Sequence, residues 1–376
     1  MRTGPTGSGL RKSRREVFVD KAVTILVPTY NERDNVVPLV QRIDGALAGR
    51  SYQVVFVDDD SKDGTAQVAA ALSPQYPVRV IVRRDKRGLA SAIVDGIKET
   101  TGQVIGVMDA DLQHPPETLP LLLDEIENGA DIAIASRYIK GSGLQGWALV
   151  RRVISRGASF LARMLLPFIR PVKDPLSGFF VFKRQVVAHA NLRPTGYKIL
   201  LEILTEGESA KLTEVPYTFV ARNAGQSKLS IFQEIDYLKH VYSLMKRRGE
   251  LFRMVKFALV GLSGVGVNIG ILYWLTESAV LFYLASAAIA IETSIISNFS
   301  LNNYFTFADR RAPGIKGFFS QLGKFNLVSL LGLAINAVVL VLFTELFGVY
   351  YIISQLFGIA AATAWNYLGG IWWTWK

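Results

Sequence analysis

The chain has no cysteine and only three histidines among its 376 residues. Disulfides, thiolate metal sites and cysteine nucleophiles are therefore excluded, and His114, His189 and His240 are too scattered for a zinc site. Any metal must be held by oxygen ligands, which favours Mg2+ or Mn2+. Charge is scarce too, at 19% of residues, against about 25% in a soluble domain. With 50% apolar residues and a mean hydropathy of +0.27, the chain is neither wholly soluble nor disordered. Acids are the rarer sign: 42 Lys and Arg against 31 Asp and Glu give a net +11. An apolar and basic chain suits an anionic membrane surface. Nucleic acid is the competing reading of such charge, but the basic residues alternate with apolar ones or flank apolar runs and form no single stripe. An apolar N-terminal signal segment is also lacking, and residues 1–20, rich in Gly, Ser and Arg, read as a flexible leader.

What is present divides the chain in two. After residue 250, positions 257–275 and 350–373 carry no charge, 278–300 contains only Glu292, and 325–346 only Glu345. A hydrocarbon core needs about 20 residues, so four spans are expected; helices buried in a soluble core rarely run so far without a polar face. Lys246, Arg247, Arg248, Arg253 and Lys256 precede the first span, and Arg310, Arg311, Lys316 and Lys324 separate the second from the third. Lys376 ends the chain, while the other two connections offer Glu277 and Glu345 and no base. The positive-inside rule then puts the first 250 residues, the middle loop and the C-terminus on the cytoplasmic side of a cell membrane. Trp372, Trp373 and Trp375 suit an interfacial aromatic belt.

Before residue 230, short apolar runs at 23–29, 53–57, 78–82, 104–108 and 131–135 alternate with helical patterns after Asn31, Asp63, Gly88 and Pro116. This is the pattern of an α/β domain with a mostly parallel sheet, whose ligands collect at the C-terminal strand ends. The expected domains are 21–229 for the α/β part, 230–253 for an amphipathic linker helix and 254–376 for the all-α four-helix membrane part. Polar residues stand at the strand ends: Tyr30-Asn31-Glu32, Asp58-Asp59-Asp60, Asp109-Ala110-Asp111 and Arg137.

Asp109 and Asp111, one residue apart where a strand ends, can both turn to one site as hard ligands for an ion bridging nucleotide phosphates. Taken alone, Asp-x-Asp is better explained by an Asx turn capping the next helix. Asp58, Asp59, Asp60 and Asp63 reach the same edge, and so much negative charge requires a neutralising cation. Asp63 is more simply a helix cap.

Six segments stand in the order found in family 2 glycosyltransferases: Val27-Pro-Thr-Tyr-Asn-Glu32, Val57-Asp-Asp-Asp-Ser-Lys-Asp-Gly-Thr65, Lys86-Arg-Gly-Leu-Ala-Ser91, Met108-Asp-Ala-Asp-Leu-Gln-His-Pro-Pro-Glu117, Ser136-Arg-Tyr138 and Asp174-Pro-Leu-Ser-Gly-Phe-Phe180. Within that family they resemble the dolichol-phosphate mannose synthases, over about residues 23–229, and the tail from Lys256 resembles the GtrA-like membrane family. One departure is Asp60, where the family pattern has glycine. The resemblance implies a GT-A fold in which Pro28, Tyr30, Glu32, Val57 and Asp59 contact the nucleotide. Asp109, Asp111 and Gln113 would form the metal and diphosphate site, with Ala110 leaving room for the ligand. Asp111, Arg222 and Lys228 would serve catalysis, the last two also touching the nucleotide sugar. Guanine in place of uracil rests on the likeness alone.

The acceptor side follows from charge. A phosphate monoester, with a second pKa of about 6, is largely dianionic near neutral pH and is already a nucleophile, so no general base is needed. A cationic pocket is expected instead. Its candidates are Arg137, then Arg151 and Ser155 on the following helix, and Arg222 with Lys228. Residues 147–169 and 231–245 are amphipathic and can lie in the headgroup region; packing on the domain core is the alternative, as strong for the second stretch. The expected reaction is transfer of mannose from GDP-mannose to dolichyl (polyprenyl) phosphate with inversion, at the lipid bilayer. The rivals are glucose transfer from UDP-glucose, and a lipid-linked sugar carrier built on the membrane half around Glu292, the one ionisable residue deep in a span.

Overall fold

The structure, a computed structural model, describes residues 23–85, 87–146, 149–208, 211–220 and 231–376. The chain forms two compact units that divide between Leu244 and Met245.

In the first unit the elements follow as β1 (Val23–Thr29), α1 (Arg33–Ala46), β2 (Tyr52–Asp58), α2 (Thr65–Ala71), β3 (Val78–Val82), α3 (Leu89–Lys98), β4 (Val104–Val107), α4 (Leu119–Glu127) and β5 (Ile132–Ser136). Then come β6 (Gly143–Leu144), α5 (Leu149–Leu165), β7 (Phe180–Lys183), α6 (Ile199–Glu206), β8 (Leu212–Pro216), β9 (Thr218–Phe219) and α7 (Ile231–Arg247). The main sheet runs β3-β2-β1-β4-β7-β5-β8, parallel except for β7, which is antiparallel to both neighbours. Every residue of β1, β2 and β5 is buried, as strands covered by helices on both faces must be. β1 pairs with β2 on one side and β4 on the other, so successive crossovers leave in opposite directions and open a crevice at their C-terminal ends.

α5 turns its apolar face outward: Leu149, Val150, Val153, Ile154 and Phe160 are all exposed. α7 has one buried and one exposed apolar face. Tyr237, His240, Val241 and Leu244 are buried, while Ile235, Leu238 and Tyr242 remain exposed.

The second unit consists of α8 (Glu250–Tyr273), α9 (Tyr283–Leu301), α10 (Gly314–Val341) and α11 (Tyr351–Gly369). With their terminal turns, α8, α9 and α10 are long and apolar enough to cross a membrane. α11 is not among the helices that meet this length and apolarity. The unit's core is aromatic, built from Phe257, Phe299, Phe307, Phe325, Tyr367 and Trp375.

Candidate active site

The strand register assembles the site's first wall. Pro28 of β1 lies beside Val57 of β2, and Thr29 beside Asp58. Asp58 is fully buried and accepts from Thr29 Oγ1 (2.9 Å), Ser61 Oγ (2.6 Å) and Ser61 N–H (2.8 Å), so it builds the turn that follows β2. Asp59 accepts from Arg83 Nε (2.8 Å) and from Gly88 N–H (2.7 Å), and Arg83 continues to Asp95 and Ser91, each at 3.0 Å. The side chains of this pair are 5% and 9% exposed, which makes it a buried lock between the β2 and β3 loops. Lys62 pairs with Asp60. The acidic run is thus neutralised by the protein's own cations and N–H groups, and a bound cation is not needed there. Asp60 sits at φ +56°, a left-handed conformation that explains why the family has glycine at this point and why Asp is tolerated. Asp63 accepts from Thr65 N–H (3.0 Å) and Arg33 N–H (3.1 Å), tying the starts of α1 and α2. Those bonds and Thr65 Oγ1 hold its carboxyl below the usual range against the opposing effect of burial. Tyr30 is exposed with Arg87 over its ring at 5.3 Å, and Glu32 accepts from Asn35 Nδ2 at 2.7 Å.

The second wall leaves β4. Leu112 adopts φ +60°, folding Asp111-Leu112-Gln113 back so that Gln113 N–H donates to Asp111 Oδ1 (3.2 Å). An Asx turn therefore forms at Asp111. Gln113 Nε2 donates to the Val220 carbonyl (3.2 Å), which commits the amide nitrogen and leaves the amide oxygen as its acceptor. Ala110 is buried. His114, which the sequence gave no reason to select, anchors Asp109: its Nδ1 accepts the Asp109 N–H at 3.1 Å and lies 3.7 Å from the carboxylate. The ring is buried against Phe179, Tyr217 and Phe219. Burial pushes its pKa down to about 4, with Asp111 opposing the shift, so the ring is neutral and Nδ1 is free to accept. A Cβ on Gly178 would stand 3.1 Å from His114 Cε1 and 3.2 Å from Asp109 Oδ2, so glycine is needed for the β7 approach to pass beneath the carboxylate.

Asp109, Asp111 and the Gln113 oxygen would offer oxygen donors of the kind that Mg2+ or Mn2+ takes. Among the described residues no three His, Asp or Glu side chains gather to hold a metal by themselves. Two carboxylates and an amide oxygen would suit a divalent ion as hard donors.

The third group follows β5. Arg137 is gripped by Asp174 through backbone N–H (3.0 Å), Nε (2.8 Å) and Nη2 (2.8 Å). Burial opposes its charge, but the Asp174 carboxylate more than offsets this and raises the guanidinium pKa. Asp174 is itself positioned by Glu214, which accepts the N–H groups of Lys173 (2.9 Å) and Asp174 (3.0 Å). Ser155 Oγ accepts from Tyr138 O–H at 2.6 Å, and Arg151 lies one turn earlier on α5. Arg222 and Lys228 lie outside the described residues.

Two contributors could not be picked out from the sequence. Arg83 becomes meaningful only once the register sets the end of β3 beside Asp59. Lys198 precedes α6 and donates to the Leu176 carbonyl at 2.9 Å; burial and then Arg137 lower its pKa to about 8, against the opposing pull of Asp174 and Asp109. It brings a further cation to the Asp174–Gly178 loop, and only tertiary contact marks it.

A mostly parallel sheet with two carboxylates at the exit of β4 is the architecture of a glycosyltransferase of the GT-A type. The family described as glycosyl transferase family 2 matches residues 24–189, and the GtrA/DPMS transmembrane domain matches residues 256–375. A dolichol-phosphate mannosyltransferase of Pyrococcus furiosus is 46% identical over 346 residues, covering 92% of this chain and 97% of its own. Those of Saccharomyces cerevisiae and Mycosarcoma maydis are 37% and 36% identical, covering 62% and 66% of this chain and 92% and 85% of theirs. The chain belongs to the dolichol-phosphate mannosyltransferase family, in a form that carries its own membrane domain.

Proposed function

We propose that this chain transfers mannose from GDP-mannose to dolichyl (polyprenyl) phosphate, with inversion, at the cytoplasmic face of a cell membrane that it crosses four times. What supports the reading is the placement of Asp109, Asp111 and Gln113 in one turn at the β4 exit, next to the C-terminal end of β1 that carries Pro28. The names of the relatives support mannose and a dolichyl phosphate acceptor. The basic flanks of the helices support the orientation.

In the proposed mechanism the first wall orients the nucleotide, with Tyr30 and Glu32 at its mouth and Asp59 fixing the wall through Arg83. Asp109, Asp111 and Gln113 would hold a divalent ion, which when bound would supply charge neutralisation for the diphosphate. The acceptor phosphate, already dianionic, needs no proton removed. One of its oxygens forms a bond to C1 of the sugar as the bond from C1 to the GDP oxygen breaks on the opposite face, which inverts the anomeric centre and releases GDP. Arg151 and Ser155 on α5 receive the acceptor phosphate with Arg137 behind them, and Arg222 and Lys228 offset the approach of two anions. The outward apolar residues of α5 support a position in the headgroup region, from which the lipid's phosphate would reach the sheet edge while its tail stays in the bilayer.

The test is transfer of labelled mannose to lipid phosphate by Asp111→Ala protein. Loss of about 100-fold or more in turnover is expected for a group that neutralises transition-state charge. Retention of full activity would remove Asp111 from the mechanism.

A further inference from the structure

The helical unit repeats itself. Residues 256–307 and 324–375 align without a gap at a spacing of 68 positions, matching Phe257 with Phe325, Gly264 with Gly332, Asn268 with Asn336, Thr276-Glu277 with Thr344-Glu345, Ser286 with Ser354 and Asn298 with Asn366. The elements keep the same spacing. α9 (Tyr283–Leu301) corresponds to α11 (Tyr351–Gly369), and the wide turns Trp274–Ser278 and Asn302–Thr306 correspond to Leu342–Leu346 and Gly370–Thr374. Contacts match as well. A Cβ on Gly264 would stand 2.3 Å from Asn298, and one on Gly332 would stand 2.3 Å from Asn366. The aromatic core consists of equivalent pairs, of which Phe307 and Trp375 stack at 4.2 Å. Each half holds two helices, so in a membrane both halves run in the same sense and are related by an axis along the bilayer normal. α11 is then a span by its equivalence to α9.

The duplication supplies a built-in comparison. The contact of α9 with α10 corresponds to that of α11 with α8. At the first, Asn326 Nδ2 donates to Glu292 Oε1 at 2.6 Å. At the second, the equivalent residues are Ala258 and Ala360. One crossing holds with two alanines, so packing does not require the polar pair at the other. Glu292 is exposed on the flank of the unit, near the middle of α9. An acid at that depth, open to hydrocarbon, is costly and marks a site.

We infer that this flank binds a second copy of the chain, the two Glu292–Asn326 pairs meeting about a two-fold axis along the membrane normal. At 1.5 Å per residue, Glu292 lies about 13 Å from either end of α9, beyond the reach of headgroups. Lipid tails offer no donor or acceptor there. A second copy in the same bilayer carries the same pair at the same depth, and a carboxyl beside an amide is self-complementary, as a two-fold contact requires. The inference rests on the membrane-spanning reading of the unit and not on its assigned substrates.

The chain lacks cysteine, so one introduced cysteine can form a disulfide only between copies. Ile289, one turn from Glu292 on the same face, and its equivalent Phe357 are 47% and 51% exposed. Full-length protein in dilute phosphatidylcholine vesicles, mildly oxidised, is expected to give disulfide-linked dimer from Ile289→Cys and little from Phe357→Cys. Adding Glu292→Ala and Asn326→Ala, which gives the flank the composition of its counterpart, is expected to weaken dimerisation about tenfold, or about 1.4 kcal/mol. Unaltered thermal unfolding would show that the fold survives these changes. No dimer from Ile289→Cys, equal dimer from both single variants, or an unchanged yield with the alanines would each overturn the inference. A failure of the membrane reading is distinguishable, because the chain would then leave the vesicles in an alkaline wash.

Discussion

Replacing His114 by Phe tests the anchoring of Asp109 and has a pH signature whose sign is fixed. The folded imidazole titrates near 4 against 6.5 for a free one. Between those values the unfolded chain binds a proton that the folded chain refuses, so stability present above pH 6.5 is lost as pH falls toward 4. At about 1.4 kcal/mol per unit the full effect is about 3 kcal/mol, of which about 2.5 has gone by pH 4.5. For a unit of this size that corresponds to a fall of about 5–10 °C in unfolding midpoint. Thermal scans from pH 7.5 to 4.5 should show the wild type losing that much more than His114→Phe. The variant itself starts lower, because the part-buried Asp109 N–H loses its acceptor, at about 1 kcal/mol. With only three histidines, selective 13C labelling of the imidazoles gives a second readout, in which the signal absent from the variant moves only near pH 4. A midpoint above 6 for that signal, or parallel pH profiles for the two proteins, would refute the reasoning.

Arg83→Met should leave Asp59 buried without its partner and cost about 3–5 kcal/mol, seen as a lower unfolding midpoint together with weaker GDP binding by calorimetry. Gly178→Ala drives a methyl group toward Asp109 Oδ2 and His114 Cε1; Mn2+ affinity measured by paramagnetic resonance with GDP present should fall while the unfolding midpoint drops by no more than about 1–3 kcal/mol equivalent. Asp174→Ala exposes Arg137 as an uncompensated buried cation and should destabilise by about 3–5 kcal/mol, whereas the double change Arg137→Met with Asp174→Leu should recover much of that stability and none of the transfer activity. Gly332→Val, whose first added carbon already lies 2.3 Å from Asn366, should separate α10 from α11 and abolish expression of folded protein, which fluorescence-detected chromatography would reveal.

Sequence patterning located the five strands β1–β5 to within a residue or so, because long apolar runs between helical segments leave little freedom in a sheet buried on both faces. β7 was legible only as part of a motif. Its four residues, Phe180–Lys183, are too short to carry a periodicity, and its antiparallel insertion between β4 and β5 is a tertiary choice. Asp109, Asp111 and Gln113, the proposed ligands, were legible as a group because residues adjacent in sequence share one turn. The groups that hold them were not: His114 reads as a lone histidine, and Arg83 and Lys198 join the site through strand register and loop packing. The acidic cluster Asp58-Asp59-Asp60 misled in one respect, since its charge is met by Arg83 and Lys62 from the protein itself. The 68-residue repeat is written in the sequence, but its sparse identities gain meaning only when turns and Gly–Asn contacts fall at the same spacing.

The central claim concerns which sugar goes to which lipid. The full chain in vesicles containing dolichyl phosphate, given GDP-mannose or UDP-glucose in parallel with Mg2+ or Mn2+, should form labelled, acid-labile glycolipid from GDP-mannose and none from UDP-glucose. Glycolipid from UDP-glucose alone, or none from either donor with both metals supplied, would contradict it.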